Sequence, residues 1–158
     1  MTPTEIFHGK FCSQIRVAFN WRKFFIEDSP IEVVTLSDVR IFGNLKLPWY
    51  LNSSSEFVGY GVAGALPVVL GDVSKWIAHL PSDRRESIEK MRDEVLSGVR
   101  STEFEFPSYA IPQCQYLILD GNHRLCALAL SGLPFRVQMY VLKGPLDPVA
   151  LPDLLHYV

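Results

Sequence analysis

Five consecutive residues, Asp120-Gly121-Asn122-His123-Arg124, bring together a carboxylate, a glycine, an amide, an imidazole and a guanidinium. That set suits a phosphate. Arginine presents a planar fork of donors that matches phosphate oxygens. Histidine donates or stacks, and its charge changes near neutral pH. Glycine adopts positive φ and lets the backbone approach a ligand closely. Aspartate can hold Mg²⁺, a hard cation that prefers oxygen ligands, or accept a proton from an acceptor hydroxyl.

The run stands between two predicted elements. Before it, Tyr116-Leu117-Ile118-Leu119 is a near-continuous apolar stretch of strand length, as in a strand covered on both faces. After it, a short helix is predicted from Arg124 to Ser131, with Gly132 as its stop. The carboxyl end of a strand is where open α/β sheets bind ligands. The amino end of a helix adds unpaired N–H groups and a dipole that favours an anion. On this reading Gly121, Asn122, His123 and Arg124 bind phosphate, and His123 and Asp120 are catalytic, with Asp120 also the metal ligand. Plainer roles fit the same letters. Asp-Gly-Asn is an ordinary turn, Asp120 or Asn122 can cap a helix, and Arg124 can pair with a distant carboxylate.

The rest of the chain must position this turn. Gln14 to Trp21 alternates apolar and polar residues and predicts a strand. A turn is expected at residues 27–30, and Ile31 to Leu36 predicts a β-branched strand. Gly43 to Leu66, with Gly59, Gly61 and Gly64, reads as an ordered loop. Pro67 to Leu70 is a short strand, after which Asp72 caps a helix carrying Val73, Trp76, Ile77 and Leu80. The clearest helix begins at Ser82 or Asp83, with Asp83 and Glu86 at capping-box spacing. Its apolar stripe is Ile88, Met91, Val95 and Val99. Phe104 to Ile111 is extended but interrupted by Pro107, and Phe135 to Leu142 is a last strand before a short C-terminal helix. The strand at Tyr116, the short helix and the strand at Phe135 predict a β-α-β unit with two parallel strands. The fold class is α/β (α+β): one small domain, a mixed sheet with flanking helices. Residues 1–30 are an N-terminal extension with its own strand, and residues 31–145 form the core.

Composition narrows the function. The 158 residues carry a net charge of −2 and include three cysteines. A duplex-binding domain needs a basic face. Here only a local patch around Arg16, Arg22 and Lys23 offers one, so DNA is not favoured. Cys12, Cys114 and Cys126 show no CxxC spacing and read as buried small hydrophobes. The opening residues lack the pattern of a signal peptide, and no apolar run reaches bilayer length, so a cytoplasmic location and no membrane partner are expected. A homodimer stays open.

The run Leu117 to Leu128, followed by Gly132 and the Phe135 strand, resembles the ParB/sulfiredoxin superfamily. There a strand ends in a Gly-x-[His/Arg]-Arg turn that opens a helix of pattern R-x-x-A. Gly121, His123, Arg124 and Ala127 match. Ile31 to Leu36 with Ser37-Asp38-Val39 is similar to the family's opening strand and turn, and Asp83 to Val99 to the helix before the motif. The resemblance implies a nucleoside triphosphate on this turn, ATP or CTP with Mg²⁺. Family members include CTP-binding DNA clamps, sulfiredoxins and free-serine kinases. Asn122 stands where sulfiredoxin has its cysteine, which argues against that thiol chemistry. For phosphotransfer to a small molecule, Asp38 or Asp120 would be the base. Three readings follow: a Mg²⁺-dependent phosphotransferase or nucleotide hydrolase, a non-catalytic nucleotide- or nucleic-acid-binding module, and a protein-interaction domain with a lost site.

Overall fold

Segments rich in β-branched and aromatic residues line up as one mixed sheet in the computed structural model, which describes residues 1–27 and 29–158. Its seven strands are β1 (Ile31–Leu36), β2 (Lys46–Leu51), β3 (Phe57–Val58), β4 (Leu66–Val69), β5 (Glu103–Ile111), β6 (Gln115–Ile118) and β7 (Arg136–Leu142). The order is β1-β7-β5-β6-β2-β3, with β4 also paired to β2. β5 runs parallel to β7 and antiparallel to β6. β2 runs parallel to β6.

Successive side chains of a strand point to opposite faces, so each strand feeds two cores. On one face Phe106, Ile118, Val137 and Met139 pack under α3 (Val39–Gly43), α4 (Val73–Trp76), α5 (Ser82–Leu96) and α6 (Asn122–Ser131). On the other, Tyr109, Leu117 and Leu119 meet Phe7 and Phe11 of α1 (Pro3–Phe11), Phe24 of α2 (Trp21–Glu27) and Leu151 and Leu154 near the C-terminus. The result is a three-layer α/β domain with helices on both faces. Among the described residues no helix is long and apolar enough to cross a membrane.

Several expectations give way to tertiary context. Residues 14–20 form no strand. Ile15, Val17 and Phe19 do turn inward while Gln14, Arg16 and Ala18 stay exposed, but the segment lies as an extended strap on the second core and joins no ladder. The period-2 pattern records an extended chain on an apolar surface, whether or not a neighbour strand is present. Trp21–Glu27 is helical, so the described residues of 1–30 hold two helices and no strand. The turn expected at 27–30 includes Asp28, which lies outside the described residues. The region read as a loop from Gly43 contains β2, whose Pro48 and irregular burial hide its period. The helix after Asp72 is a single α turn between two 3₁₀ turns, Leu70–Asp72 and Ile77–His79.

The helix α5 starts at Ser82 with Pro81 at the cap position and no side-chain cap, so the expected capping box is absent. It buries Ile88 and Val95 and ends at Leu96. Gly98 then takes φ +82°, which leaves Val99 79% exposed and ends the stripe one turn early. Pro107 does not interrupt β5, and its carbonyl accepts from the Leu119 N–H. The predicted parallel β-α-β pair is not formed. β6 returns from β5 as a hairpin, so the chain leaving α6 joins the other edge of β5, and β6 and β7 run antiparallel to each other.

Candidate functional site

Gly121 makes the bend from β6 into α6 at φ +85°, a conformation that costs an L side chain about 1–2 kcal/mol. A Cβ there would also sit 3.4 Å from Phe106 Cβ. α6 begins at Asn122, two residues earlier than the sequence predicts. Asn122, His123 and Arg124 therefore fill its first turn, where backbone N–H groups have no partner within the helix. Leu125 is the first residue whose N–H reaches back, to Gly121 O at 2.9 Å. Leu125, Cys126, Ala127 and Leu128 are buried and anchor the helix.

This turn lines a cleft of about 590 Å³. Three other elements reach it: Arg16 from the strap, Trp49 from β2 and Arg84 from α5. Arg16, Arg84 and Arg124 thus share one cleft with His123, against, among the described residues, the single carboxylate of Asp120. None of the three arginines has a carboxylate oxygen within 4.0 Å among the described residues. Rings place two of them instead. The Arg84 guanidinium lies 4.9 Å from the Trp49 ring centre, and that of Arg124 4.9 Å from Phe104. Such contacts orient a cation without neutralising it. The Trp49 and His123 rings are 5.5 Å apart.

The electrostatics follow from burial and these cations. Burial first, then Arg84 and Arg16, hold the His123 imidazole below the usual histidine range, against the opposing pull of Asp120 and Asp83. Burial pushes the Asp120 carboxyl up, although the Gly121 N–H, Arg16, Arg124 and His123 all favour its charged form. Asn122 Oδ1 is buried and has no hydrogen-bond partner among the described residues. Beside the cleft, a hollow of about 570 Å³ is lined by Asp120, Arg124, Lys10 and Glu105. Glu105 accepts from Lys10 Nζ at 3.0 Å and from the Tyr140 hydroxyl at 3.2 Å.

Asp120 through Arg124 are thus together, as read from the sequence. Asp38 is elsewhere. It caps α3, its Oδ1 accepts the Arg40 N–H at 2.7 Å, and it is not among the residues lining the cleft. The Arg40 N–H and side chain hold the Asp38 carboxyl below its usual range. A local helix cap explains it, and the structure gives it no place as a base. Of the basic patch, Arg16 reaches the cleft, whereas Lys23 bonds Asp147 at 2.7 Å. Cys126 alone of the cysteines is buried, its thiol pushed up by burial, while Cys12 and Cys114 are exposed.

Arg84 and Trp49 lie outside the residues that the sequence assigns to the site. Trp49 does pack edge-on against Trp76, but it also walls the cleft. A signal for Arg84 was present: it stands four residues before Ile88 and seven before Met91, on the apolar stripe of α5. A charge at a core-facing position points to a site. No family model, curated protein or solved structure matches this chain.

Proposed function

We propose that the cleft binds the phosphate groups of a nucleotide, ATP or CTP, or of another phosphate-bearing small molecule. The observation that carries this reading is the convergence, on the amino end of α6, of three arginines without carboxylate partners among the described residues. Cations gathered in one cleft repel one another, and an anion relieves that repulsion. The N–H groups of the first helical turn add donors aimed the same way. The likeness of the Gly121-to-Ala127 run to ParB/sulfiredoxin proteins supports the same ligand class.

In this reading the backbone at Asn122–Arg124 cradles the phosphates, and Arg16, Arg84 and Arg124 neutralise them. His123, kept neutral by burial and by Arg84 and Arg16, donates to a phosphate oxygen. Asp120 is the carboxylate that would position an acceptor hydroxyl and take its proton, the role a phosphotransferase requires. The same carboxylate fits Mg²⁺, which commonly binds through one or two carboxylates and the substrate's own phosphates. The metal would supply charge neutralisation at the transferring phosphoryl group. Asp120 thus supports the reading of a Mg²⁺-dependent phosphotransferase or nucleotide hydrolase. Nucleic acid is the weaker ligand, because the chain's net charge is −2 and the cations form a pocket rather than a basic face.

A thermal-shift titration with ATP, CTP and GTP, with and without Mg²⁺, tests the reading. Stabilisation by a nucleotide and Mg²⁺-dependent release of phosphate are expected. No shift with any nucleotide would sink the phosphate reading and turn attention to a protein partner.

A further inference from the structure

The cationic cleft does not end at Trp49. A second hollow, of about 460 Å³, shares Val17, Pro48, Trp49 and Arg84 with it. Beyond that shared wall its character changes. Phe57, Tyr60 and Tyr50 join the lining, with the buried Asp153 carboxyl, and among the described residues Arg84, at the boundary, is its one cation. A free phosphate or a phosphorylated polyol would use the first cleft and leave this one unfilled. A phosphate joined to a planar heterocycle would fill both.

We propose that this hollow is a nucleobase subsite, in which a base stacks at Trp49 and Tyr60 while its phosphates pass Arg84 to the start of α6. Trp49 is suited to the boundary. It is half-buried, fixed from behind by Trp76 at 6.0 Å between ring centres, and bears the Arg84 guanidinium. A ring so held loses little freedom when a base stacks on it. Tyr60 is 41% exposed and its ring has no aromatic neighbour among the described residues, although its backbone carbonyl bonds His156 Nε2 at 2.7 Å. Aromatic stacking is tolerant of base identity, because every base has a π-face.

The inference rests on the phosphate reading, so its test separates the two. Affinities of inorganic tripolyphosphate and of ATP, CTP, GTP and UTP are measured by calorimetry on the wild type, Trp49→Leu and Tyr60→Ala. The best nucleotide should bind the wild type about tenfold more tightly than tripolyphosphate, the scale of one stacked base. Both substitutions should erase most of that preference, and Tyr60→Ala, which lies outside the cationic cleft, should leave tripolyphosphate affinity unchanged. Because Trp49 packs on Trp76, Tyr60→Ala keeps the test valid if Trp49→Leu fails to fold. Equal wild-type affinity for tripolyphosphate and all four nucleotides overturns the base subsite and leaves the phosphate site standing. A nucleotide preference untouched by Tyr60→Ala overturns the placement of the base. Failure of every probe to bind overturns the phosphate reading and the subsite with it.

Discussion

Replacing Arg124 with alanine separates a ligand-binding arginine from a structural one. In the folded protein its guanidinium lies 4.9 Å from the Phe104 ring centre and has no carboxylate partner among the described residues. An exposed cation–π contact contributes about 0.5–1 kcal/mol. Against this, a cation in the first turn of α6 opposes the helix dipole, at a cost of about 0.3–1 kcal/mol. The two nearly cancel, so the unliganded variant should melt within about 2 °C of wild type, given roughly 2–4 °C per kcal/mol at this chain length. The effect on a phosphate ligand is larger. Loss of a charge-assisted bond of about 1.5–3 kcal/mol weakens binding roughly ten- to hundredfold. At a nucleotide concentration of about a hundred times the wild-type Kd, binding stabilises wild type by about 2.7 kcal/mol. The variant would keep only about 0.4–1.4 kcal/mol. Differential scanning fluorimetry with and without nucleotide reads both quantities. A large drop in the unliganded melting temperature with an intact ligand shift would refute the reasoning and make Arg124 a structural residue.

Further predictions concern pH and packing. His123 is held below the usual histidine range, so the unfolded chain takes up a proton near pH 6.5 before the native state does. Stability should therefore fall as pH drops from 7.5 to 5.5, and His123→Gln should flatten that slope in urea denaturation. An anion in the cleft favours the charged imidazole, so nucleotide affinity should tighten as pH falls; calorimetry in two buffers of different ionisation enthalpy should detect proton uptake on binding. Asp153 is buried, its carboxyl pushed up by burial despite accepting from the Tyr50 hydroxyl. The native state then binds more protons than the unfolded chain, and Asp153's contribution is present at low pH and lost as pH rises through its native pKa. Asp153→Asn keeps an acceptor for Tyr50 and removes the buried charge, so its urea midpoint should exceed wild type at pH 7.5 and lose that advantage near pH 3.5. At Gly71 a Cβ would lie 2.8 Å from Gly43 O and 3.1 Å from Gly43 Cα. Gly71→Ala should cost about 1–3 kcal/mol in denaturation and leave nucleotide affinity intact.

What the sequence determined by itself is local. The apolar run before Asp120, the positive-φ glycine after it and Gly132 at φ +67° mark out a strand, a sharp turn and a short helix, because side-chain period and backbone sterics act over a few residues. The polar turn was legible for that reason. So was the inward set Ile15, Val17 and Phe19, although not the absence of a ladder beside it. The tertiary structure decided everything that depends on which sheet edge is open. β6 uses one edge of β5 as a hairpin, so β7 takes the other and the expected parallel pair does not form. It also decided the composition of the cleft. Arg16, Trp49 and Arg84 come from a strap, a strand and a helix remote from one another in sequence, and only the packing of those elements on two faces of one sheet brings them to the amino end of α6. Asp38 shows the converse: a carboxylate suited to be a base is committed to its own helix cap, because the nearest unpaired N–H, two residues on, is within reach without any fold at all.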